Sequence, residues 1–230
     1  MKTSILATCL MILFGAAAPA FADVPWQFSD DTRYMALGDS LAAGYGAQPV
    51  TRGYVYQLYQ QGVFDQTPNT LFANAAVPGA TSSDVLQYQV PQAVKRFQPH
   101  VITITVGGND LLSIFGGADP EVVLAQFQNN LTAILASLYA GLPDSEIIVG
   151  NLYSVSEIPG ADEVIPFFNQ IVAGVSASFG AKVADVFSEF DGRNGLLLID
   201  RHGAGVFEVH PTNAGYNAMA DAFETAFNGP

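Results

Sequence analysis

A serine, a glycine, an asparagine and a histidine stand in this order along the chain, and together they could carry out acyl transfer. They are Ser40, Gly79, Asn109 and His210. Acyl transfer needs a nucleophile, a base that takes its proton, and hydrogen-bond donors for the oxyanion of the tetrahedral intermediate. The Ser40 hydroxyl, the His210 imidazole, backbone N–H groups and the Asn109 amide could supply these parts.

Each of these residues has a simpler structural explanation when it is taken alone. Ser40 and Asp39 could cap a helix, Gly79 could mark a turn, and Asn109 could be a left-handed turn residue. A single histidine before a helix, such as His210, is more often a surface residue than a catalyst. The chemical interpretation is the better one only if the fold brings the four positions together.

Apolar runs alternate with helical patterns along the chain. The clearest strand is VITITV at 101–106, which is β-branched throughout and is followed by two glycines. We predict strands at 33–37, 71–76, 101–106, 146–149 and 181–186. We predict helices at 54–61, 83–97, 119–139, 163–179 and 214–227. Pro91 should break or kink the second of these helices, because proline lacks the backbone N–H that a helix interior uses.

Strands that are apolar along their whole length and separated by helices are typical of a parallel sheet covered on both faces. No internal repeat or low-complexity linker divides the chain, so we predict one α/β domain. Ligands bind such sheets beyond the carboxyl ends of the strands. Ser40, Gly79 and Asn109 follow the first three predicted strands and His210 precedes the last helix. The predicted fold therefore brings all four residues to this edge.

Four segments of the chain contain these residues: GDSL at 38–41 with GYG at 44–46, the stretch 74–84, GGND at 107–110, and HP at 210–211 with AGY at 214–216. These segments resemble those of the SGNH hydrolase superfamily, which includes the GDSL lipases and esterases. The similarity runs from residue 34 to about residue 220. It implies a three-layer, flavodoxin-like α/β/α fold around a five-stranded parallel sheet.

The resemblance also implies hydrolysis of carboxylic esters through an acyl-enzyme on serine, with no cofactor and no metal. Ser40 would be the nucleophile and His210 the general base, while the N–H groups of Ser40 and Gly79 and the Asn109 amide would form the oxyanion hole. The substrate would be a small-molecule or lipid ester. Carbohydrate O-acetylesterase and lysophospholipase or thioesterase activities are alternatives, and a non-catalytic binding protein on the same fold is another.

One position departs from the family pattern, because Phe207 stands where the family usually has an aspartate three residues before the histidine. Glu208 lies two residues before His210, and residues two apart share a face of an extended chain. A backbone carbonyl near Phe207, within residues 205–207, could instead accept the Nδ1–H of His210. We favour this carbonyl over Glu208. Two further candidates lie at a greater distance in the sequence: Asp200 and Asp185.

Apolar residues in or beside these loops could form the wall of an acyl pocket. They are Tyr45, Leu111, Phe115, Tyr153, Ile158 and Phe207. Each of them could equally pack in the core or within a loop. As a pocket wall they would favour an uncharged acyl chain.

Composition and charge exclude several other classes of protein. Half of the 230 residues are hydrophobic, 13% are charged, and the formal net charge is −13. The absence of any lysine or arginine cluster argues against nucleic-acid binding and against anionic membrane surfaces. The single cysteine, Cys9, excludes a disulfide scaffold. The three histidines have no metal-ligand spacing, and of these only His202 competes with His210 as a base; we interpret it as a loop histidine.

The N-terminus has the pattern of a secretory signal peptide. Lys2 precedes an apolar run at 5–18, which is too short to span a bilayer, and AFA at 20–22 resembles a cleavage site. We expect residues 1–22 to be removed. The remaining single hydrolase domain, 23–230, would be secreted or periplasmic and would have no stable membrane anchor.

Overall fold

Five parallel strands form the central sheet of the computed structural model, which describes residues 31–64, 70–155, 158–198 and 208–229. The strands are β1 (Arg33–Gly38), β2 (Leu71–Asn74), β3 (Val101–Thr105), β4 (Glu146–Gly150) and β5 (Lys182–Ala184). Their order across the sheet is β2-β1-β3-β4-β5, and every neighbouring pair is parallel. The predicted fold class is confirmed, although β2 and β5 are shorter than predicted.

Helices connect or follow the strands. They are α1 (Ser40–Ala43), α2 (Tyr54–Gln60), α3 (82–97), α4 (Gly108–Phe115), α5 (Pro120–Gly141), α6 (Ala161–Phe179), α7 (Val186–Phe190) and α8 (Asn213–Asn228). The predicted start of α5 is confirmed, since the Asp119 side chain accepts a hydrogen bond from the Glu121 N–H and Pro120 occupies the first turn. Gly180 caps α6 in the left-handed conformation, with φ of 74°.

The hydrophobic residues of β1 alternate between the two halves of the core. Tyr34 and Ala36 belong to one cluster, which includes residues of α2 and α8. Met35 and Leu37 belong to the other, which includes residues of α3, α5 and α6. Because successive side chains of a strand point to opposite faces, both faces of the sheet are covered and the fold has three layers.

Two local structures differ from the sequence-based expectation. Helix α3 continues through Pro91, with π-helical turns at Val85–Gln89 and Ala93–Phe97 on either side. These wider turns accommodate a proline ring that would clash with a carbonyl in a regular α-helix. Helix α4 was not predicted, and Asn109 lies in its first turn; the left-handed residue is Gly107, with φ of 108°.

The sheet order places a crevice at the carboxyl ends of β1 and β3. From β1 the chain passes to β2 on one side of it and then to β3 on the other side, so the direction of strand addition reverses at β1. In parallel sheets, ligand sites form beyond the carboxyl ends of the strands at such a reversal. The two strands approach each other closely there. A Cβ on Gly38, whose φ is 135°, would lie 2.1 Å from the Thr105 carbonyl oxygen, so only glycine fits.

The predicted signal peptide at 1–22 lies outside the described residues, and so does the beginning of the predicted domain at residue 23. Among the helices that the structure describes, none combines the length and the apolar character needed to cross a bilayer.

Candidate active site

Ser40 begins α1, immediately beyond the carboxyl end of β1. The preceding residue, Asp39, caps this helix by accepting a hydrogen bond from the Leu41 N–H at 3.0 Å. Asp39 also accepts one from the Thr105 hydroxyl at 3.1 Å. Asp39 is 2% exposed, and this burial raises its pKa to about 6 despite the two hydrogen bonds. Asp39 therefore has the structural role of a cap, and the Ser40 side chain points to the crevice.

Two side-chain amides form hydrogen bonds with the backbone on either side of Ser40. Gln89, buried in α3, accepts a hydrogen bond from the Gly38 N–H at 2.6 Å and donates one to the Gly38 carbonyl at 2.8 Å. Asn74, at the end of β2, donates to the Ala42 carbonyl at 2.8 Å and accepts from the Ala76 N–H. Sequence reasoning missed Gln89, because a glutamine inside a helical pattern carries no signal of a contact 51 residues away.

The histidine side chain reaches the serine from a segment 170 residues later in the chain. His210 Nε2 lies 2.8 Å from Ser40 Oγ. The ring of Tyr45, in the loop after α1, packs on the imidazole with the centroids 4.4 Å apart. The structure therefore brings together the two residues that the sequence analysis paired, at the predicted edge of the sheet.

The Glu208 carboxylate faces the other ring nitrogen of His210. It forms a hydrogen bond with Nδ1 and also accepts one from the His210 backbone N–H at 3.3 Å. Among the described residues, this carboxylate is the acceptor on the Nδ1 side of the ring, which favours Glu208 over the carbonyl that we preferred from the sequence. Phe207, like the rest of residues 205–207, lies outside the described residues.

The other acidic candidates do not meet the histidine in the part of the chain that the structure describes. Asp185 caps α7, where it accepts hydrogen bonds from Ser188 and from the Asn151 amide. Asp200 and His202 lie outside the described residues. His100 accepts a hydrogen bond from the Arg33 N–H at the beginning of β1, the edge of the sheet opposite to Ser40.

Gly79 and Asn109 lie on the other side of the crevice. Gly79 has φ of 84° in an exposed turn where an added Cβ would meet no atom within 4 Å, so its backbone conformation rather than space requires glycine. The Asn109 amide donates one hydrogen bond to the Ala80 carbonyl at 2.9 Å, and its second N–H is left for another acceptor. No acceptor within the described residues is recorded for the N–H groups of Ser40 and Gly79.

A network behind Asn109 fixes the start of α4 against α3. The Asp110 carboxylate is buried and accepts hydrogen bonds from the Ser82 N–H at 2.9 Å and the Ser82 hydroxyl at 2.5 Å. Asn130 of α5 donates to the same hydroxyl at 2.9 Å. The first turn of α4, and with it the Asn109 amide, is therefore anchored directly to α3, and through Ser82 to α5.

All four predicted residues line one cavity of about 400 Å³. Of the predicted pocket-wall residues, Tyr45, Leu111, Phe115, Tyr153 and Ile158 line it, and Phe207 lies outside the described residues. Sequence reasoning missed further apolar wall residues: Val106, Leu112, Leu152, Val155, Ala161 and Val209. The helical spacing of residues 111, 112 and 115 would have identified α4 as their source. In the described parts of the chain, no three His, Cys, Asp or Glu residues gather as a metal site would require.

A five-stranded parallel sheet with these four residues at its carboxyl edge defines a hydrolase of the SGNH superfamily. The chain belongs to the GDSL-like lipase/acylhydrolase family, whose model matches residues 36–218. It is therefore a carboxylic ester hydrolase.

Three similar proteins illustrate this relationship. The chain is 31% identical to the spore germination lipase LipC of Bacillus licheniformis over 214 residues, 86% of this chain and 97% of that protein. The lipase Lip_vut3 from a goat rumen metagenome is 28% identical with a TM-score of 0.70, over 86% of this chain and 98% of that one. A variant of Axe2, an acetyl xylan esterase from Geobacillus stearothermophilus, has 17% identity and a TM-score of 0.69, over 86% and 94% of the chains, and shows the shared fold.

Proposed function

We propose that the protein is a serine esterase or lipase that forms an acyl-enzyme on Ser40, with His210 as the general base. One observation carries the proposal. The Ser40 hydroxyl lies 2.8 Å from His210 Nε2, and the opposite nitrogen of the same ring is hydrogen-bonded to the Glu208 carboxylate. A nucleophile, a base and a group that orients the base, in contact in this order, are the arrangement that activates a serine.

Each group then has a defined step in acylation. Ser40 Oγ attacks the ester carbonyl carbon while its proton passes to His210 Nε2. The Nε2–H then protonates the leaving alcohol as the ester C–O bond breaks, which leaves the acyl group on Ser40. A water molecule repeats the sequence and releases the acid. The Glu208 carboxylate holds the Nδ1–H tautomer and stabilises the imidazolium that forms in each half.

Three donors face the developing oxyanion. The N–H groups of Ser40 and Gly79 have no recorded acceptor in the described structure, and Asn109 keeps one amide N–H available because the other is bound to the Ala80 carbonyl. Donors that are already oriented stabilise the transition state without a reorganisation cost at the moment of reaction. The hydrogen bonds behind Asn109 and Asp39 supply that orientation.

The cavity favours an uncharged acyl chain longer than acetyl. Its volume of about 400 Å³ falls within the range of small-molecule sites, and its wall is mostly aliphatic and aromatic side chains. Burying methylene groups there contributes about 0.8 kcal/mol each, a gain that an acetyl ester does not have. The lining therefore favours a lipase-like substrate over a carbohydrate O-acetyl ester. Lysophospholipase and thioesterase activities would use the same acyl cavity with a different leaving group.

A series of p-nitrophenyl esters from acetate to palmitate tests this proposal in the wild type and in Ser40→Ala. We expect Ser40→Ala to lower kcat by at least about 10⁴, because nucleophile and base act as one unit. The control is Ser178→Ala, whose hydroxyl donates to the Gly174 carbonyl within α6 and lines no part of the acyl cavity. We expect kcat/KM to be highest for an ester longer than acetate. Full turnover by Ser40→Ala would exclude the mechanism, and a preference for acetate would exclude the acyl-cavity assignment.

We also propose that the enzyme is exported. Three features support a signal peptide at 1–22: the charged residue Lys2, a 14-residue apolar run at 5–18, and the small-residue cleavage pattern at 20–22. The N-terminal residue of the secreted or periplasmic protein, determined by mass spectrometry, should be Asp23. Retention of Met1 in the exported enzyme would contradict this proposal.

A further inference from the structure

A tyrosine outside the proposed catalytic set connects the acyl cavity to the histidine. Tyr153 follows β4, is 7% exposed and lines the cavity. Its ring stacks on Phe190 at the end of α7, with the centroids 4.6 Å apart and the planes at 14°. Its hydroxyl donates a hydrogen bond to the Val209 carbonyl at 2.7 Å. The side chain is therefore fixed at its ring and at its hydroxyl.

The acceptor of this bond belongs to the peptide group that carries the histidine. The Val209 carbonyl and the His210 N–H are the two ends of one planar peptide unit. Tyr153 binds the oxygen at 2.7 Å, and the Glu208 carboxylate accepts from the N–H at 3.3 Å. An uncompensated rotation about the Val209 Cα–C bond would turn this peptide unit and displace the His210 Cα and Cβ that follow it. The position of Nε2 relative to Ser40 Oγ would then change.

Among the described residues, two further contacts restrain the backbone at this point. The His210 carbonyl accepts from the Leu198 N–H at 2.9 Å, and one antiparallel bridge pairs Leu197 with Pro211. Both lie on the C-terminal side of the imidazole. The Tyr153 bond is the long-range restraint recorded on its N-terminal side within the described chain.

The surroundings of this tyrosine favour its protonated form, in which the hydroxyl donates to the Val209 carbonyl. Burial, followed by the negative charges of Asp39 and Glu208, raises the pKa of the Tyr153 hydroxyl well above its ordinary value. Loss of the hydroxyl, rather than its ionisation, is therefore the change that can break the bond to Val209.

We propose that Tyr153 is a positioning residue, which sets the orientation of the His210 imidazole through the Val209 carbonyl while its ring forms part of the acyl-cavity wall. The inference rests on the proposed function, because it assigns Tyr153 to the geometry of the Ser40–His210 pair. An error of about 1 Å in a catalytic group can cost about 10²-fold in rate, which is the scale of effect that a lost orienting bond should produce.

The test compares Tyr153→Phe with Tyr34→Phe, a buried tyrosine that also loses one hydroxyl bond, in its case to Thr103 at 2.8 Å in the sheet. We expect Tyr153→Phe to lower kcat on a short-chain ester by about 10- to 100-fold with KM nearly unchanged. The rate at which a p-nitrophenyl phosphonate modifies Ser40 should fall in parallel. Tyr34→Phe should keep kcat within about twofold, whatever its melting temperature.

Two further measurements separate positioning from general destabilisation. Melting temperatures of both variants identify any unfolding, and assays are run well below the lower value. The downfield proton resonance of the His210 Nδ1–H bond should shift or broaden in Tyr153→Phe and stay unchanged in Tyr34→Phe. Tyr153→Phe with kcat within about threefold of the wild type, or with a loss confined to KM, would overturn the inference. Turnover by Ser40→Ala would instead overturn the proposed function beneath it.

Discussion

The two halves of the candidate site are held in place in different ways. The serine half is continuous with the sheet, since Ser40 begins α1 directly after β1 and Asp39 is bound to both Leu41 and Thr105. The histidine half is a segment between Glu208 and α8 that belongs to no helix or strand. It is held by separate hydrogen bonds from residues far away in the sequence, including Tyr153.

This difference indicates which substitutions should change both stability and turnover, and which should change turnover alone. Groups that orient the serine half are buried in the sheet edge, so changing them alters the free energy of unfolding as well as the geometry. The described groups that orient the histidine half, such as Tyr153 and Glu208, act on a segment outside any helix or strand, so changing them should lower turnover with less effect on stability. The four predictions below test this separation, from the largest expected effect to the smallest.

Removing the imidazole should have the largest effect. His210→Ala should lower kcat by at least about 10⁴ while the melting temperature stays close to that of the wild type, because the base acts as one unit with Ser40. The histidine control is His100→Ala, at the opposite edge of the sheet, measured with the same short-chain ester. Loss of activity in His202→Ala, with activity retained in His210→Ala, would move the base to another residue.

Neutralising the carboxylate on Nδ1 should have the next largest effect. Glu208→Gln should lower kcat by about 10³, somewhat less than the 10⁴ cost of the equivalent change in serine proteases, because Glu208 is partly exposed to solvent. This loss is larger than the decrease in kcat of at most about 10²-fold that we would expect for Glu208→Gln if a backbone carbonyl accepted the Nδ1–H of His210. Asp185→Asn is the matched control and should change kcat by less than about threefold. Equal losses in both variants would remove Glu208 from the catalytic set.

Removing the side-chain oxyanion donor should lower kcat by about 10² to 10³ in Asn109→Ala, with a smaller change in KM. The reason is that the hydrogen bond from the amide to the substrate becomes strongest when negative charge develops on the carbonyl oxygen. Because the amide also binds the Ala80 carbonyl at 2.9 Å, we expect a measurable decrease in melting temperature, unlike the result for Glu208→Gln. A loss seen mainly in KM would assign Asn109 to ground-state binding.

Removing the charge of the buried cap while keeping its hydrogen bonds should alter stability rather than turnover. The pKa of Asp39 is raised from 3.8 to about 6 in the folded protein, so the folded protein binds this proton more tightly than the unfolded chain does. Stability is therefore lost as the pH rises from about 4 to about 6, by an amount on the order of 3 kcal/mol. The same carboxylate oxygen, Oδ1, accepts both hydrogen bonds of Asp39, so the amide oxygen of Asp39→Asn can accept both without the charge. Urea unfolding should show it more stable than the wild type above pH 6, with the difference disappearing near pH 4. A difference that is constant across this range would contradict the assignment.

Local sequence patterns were sufficient to predict where the strands end and which residues form the serine half of the site. The β-branched run at 101–106 and the glycines after it mark β3, and the fold class follows from several such strands alternating with helices. Ser40, Gly79 and Asn109 are each placed by the strand that immediately precedes them. Helix α4 was not predicted because the segment GGND at 107–110, which spans its start, is also typical of a turn. Contacts with α3 and α5 favour the helix.

The sequence by itself determined which residue types reach the carboxyl edge of the sheet, because each lies within a few residues of an element whose pattern is local. Only the tertiary structure placed the Glu208 carboxylate at His210 Nδ1. From the sequence, this carboxylate and the carbonyl three residues before the histidine could both reach the ring, because the path of the backbone was not known. The contacts of Gln89 with Gly38 and of Tyr153 with Val209 were likewise undecided, because they join residues 51 and 56 positions apart. Such contacts depend on how elements pack, and the pattern that predicts an element does not specify its neighbours.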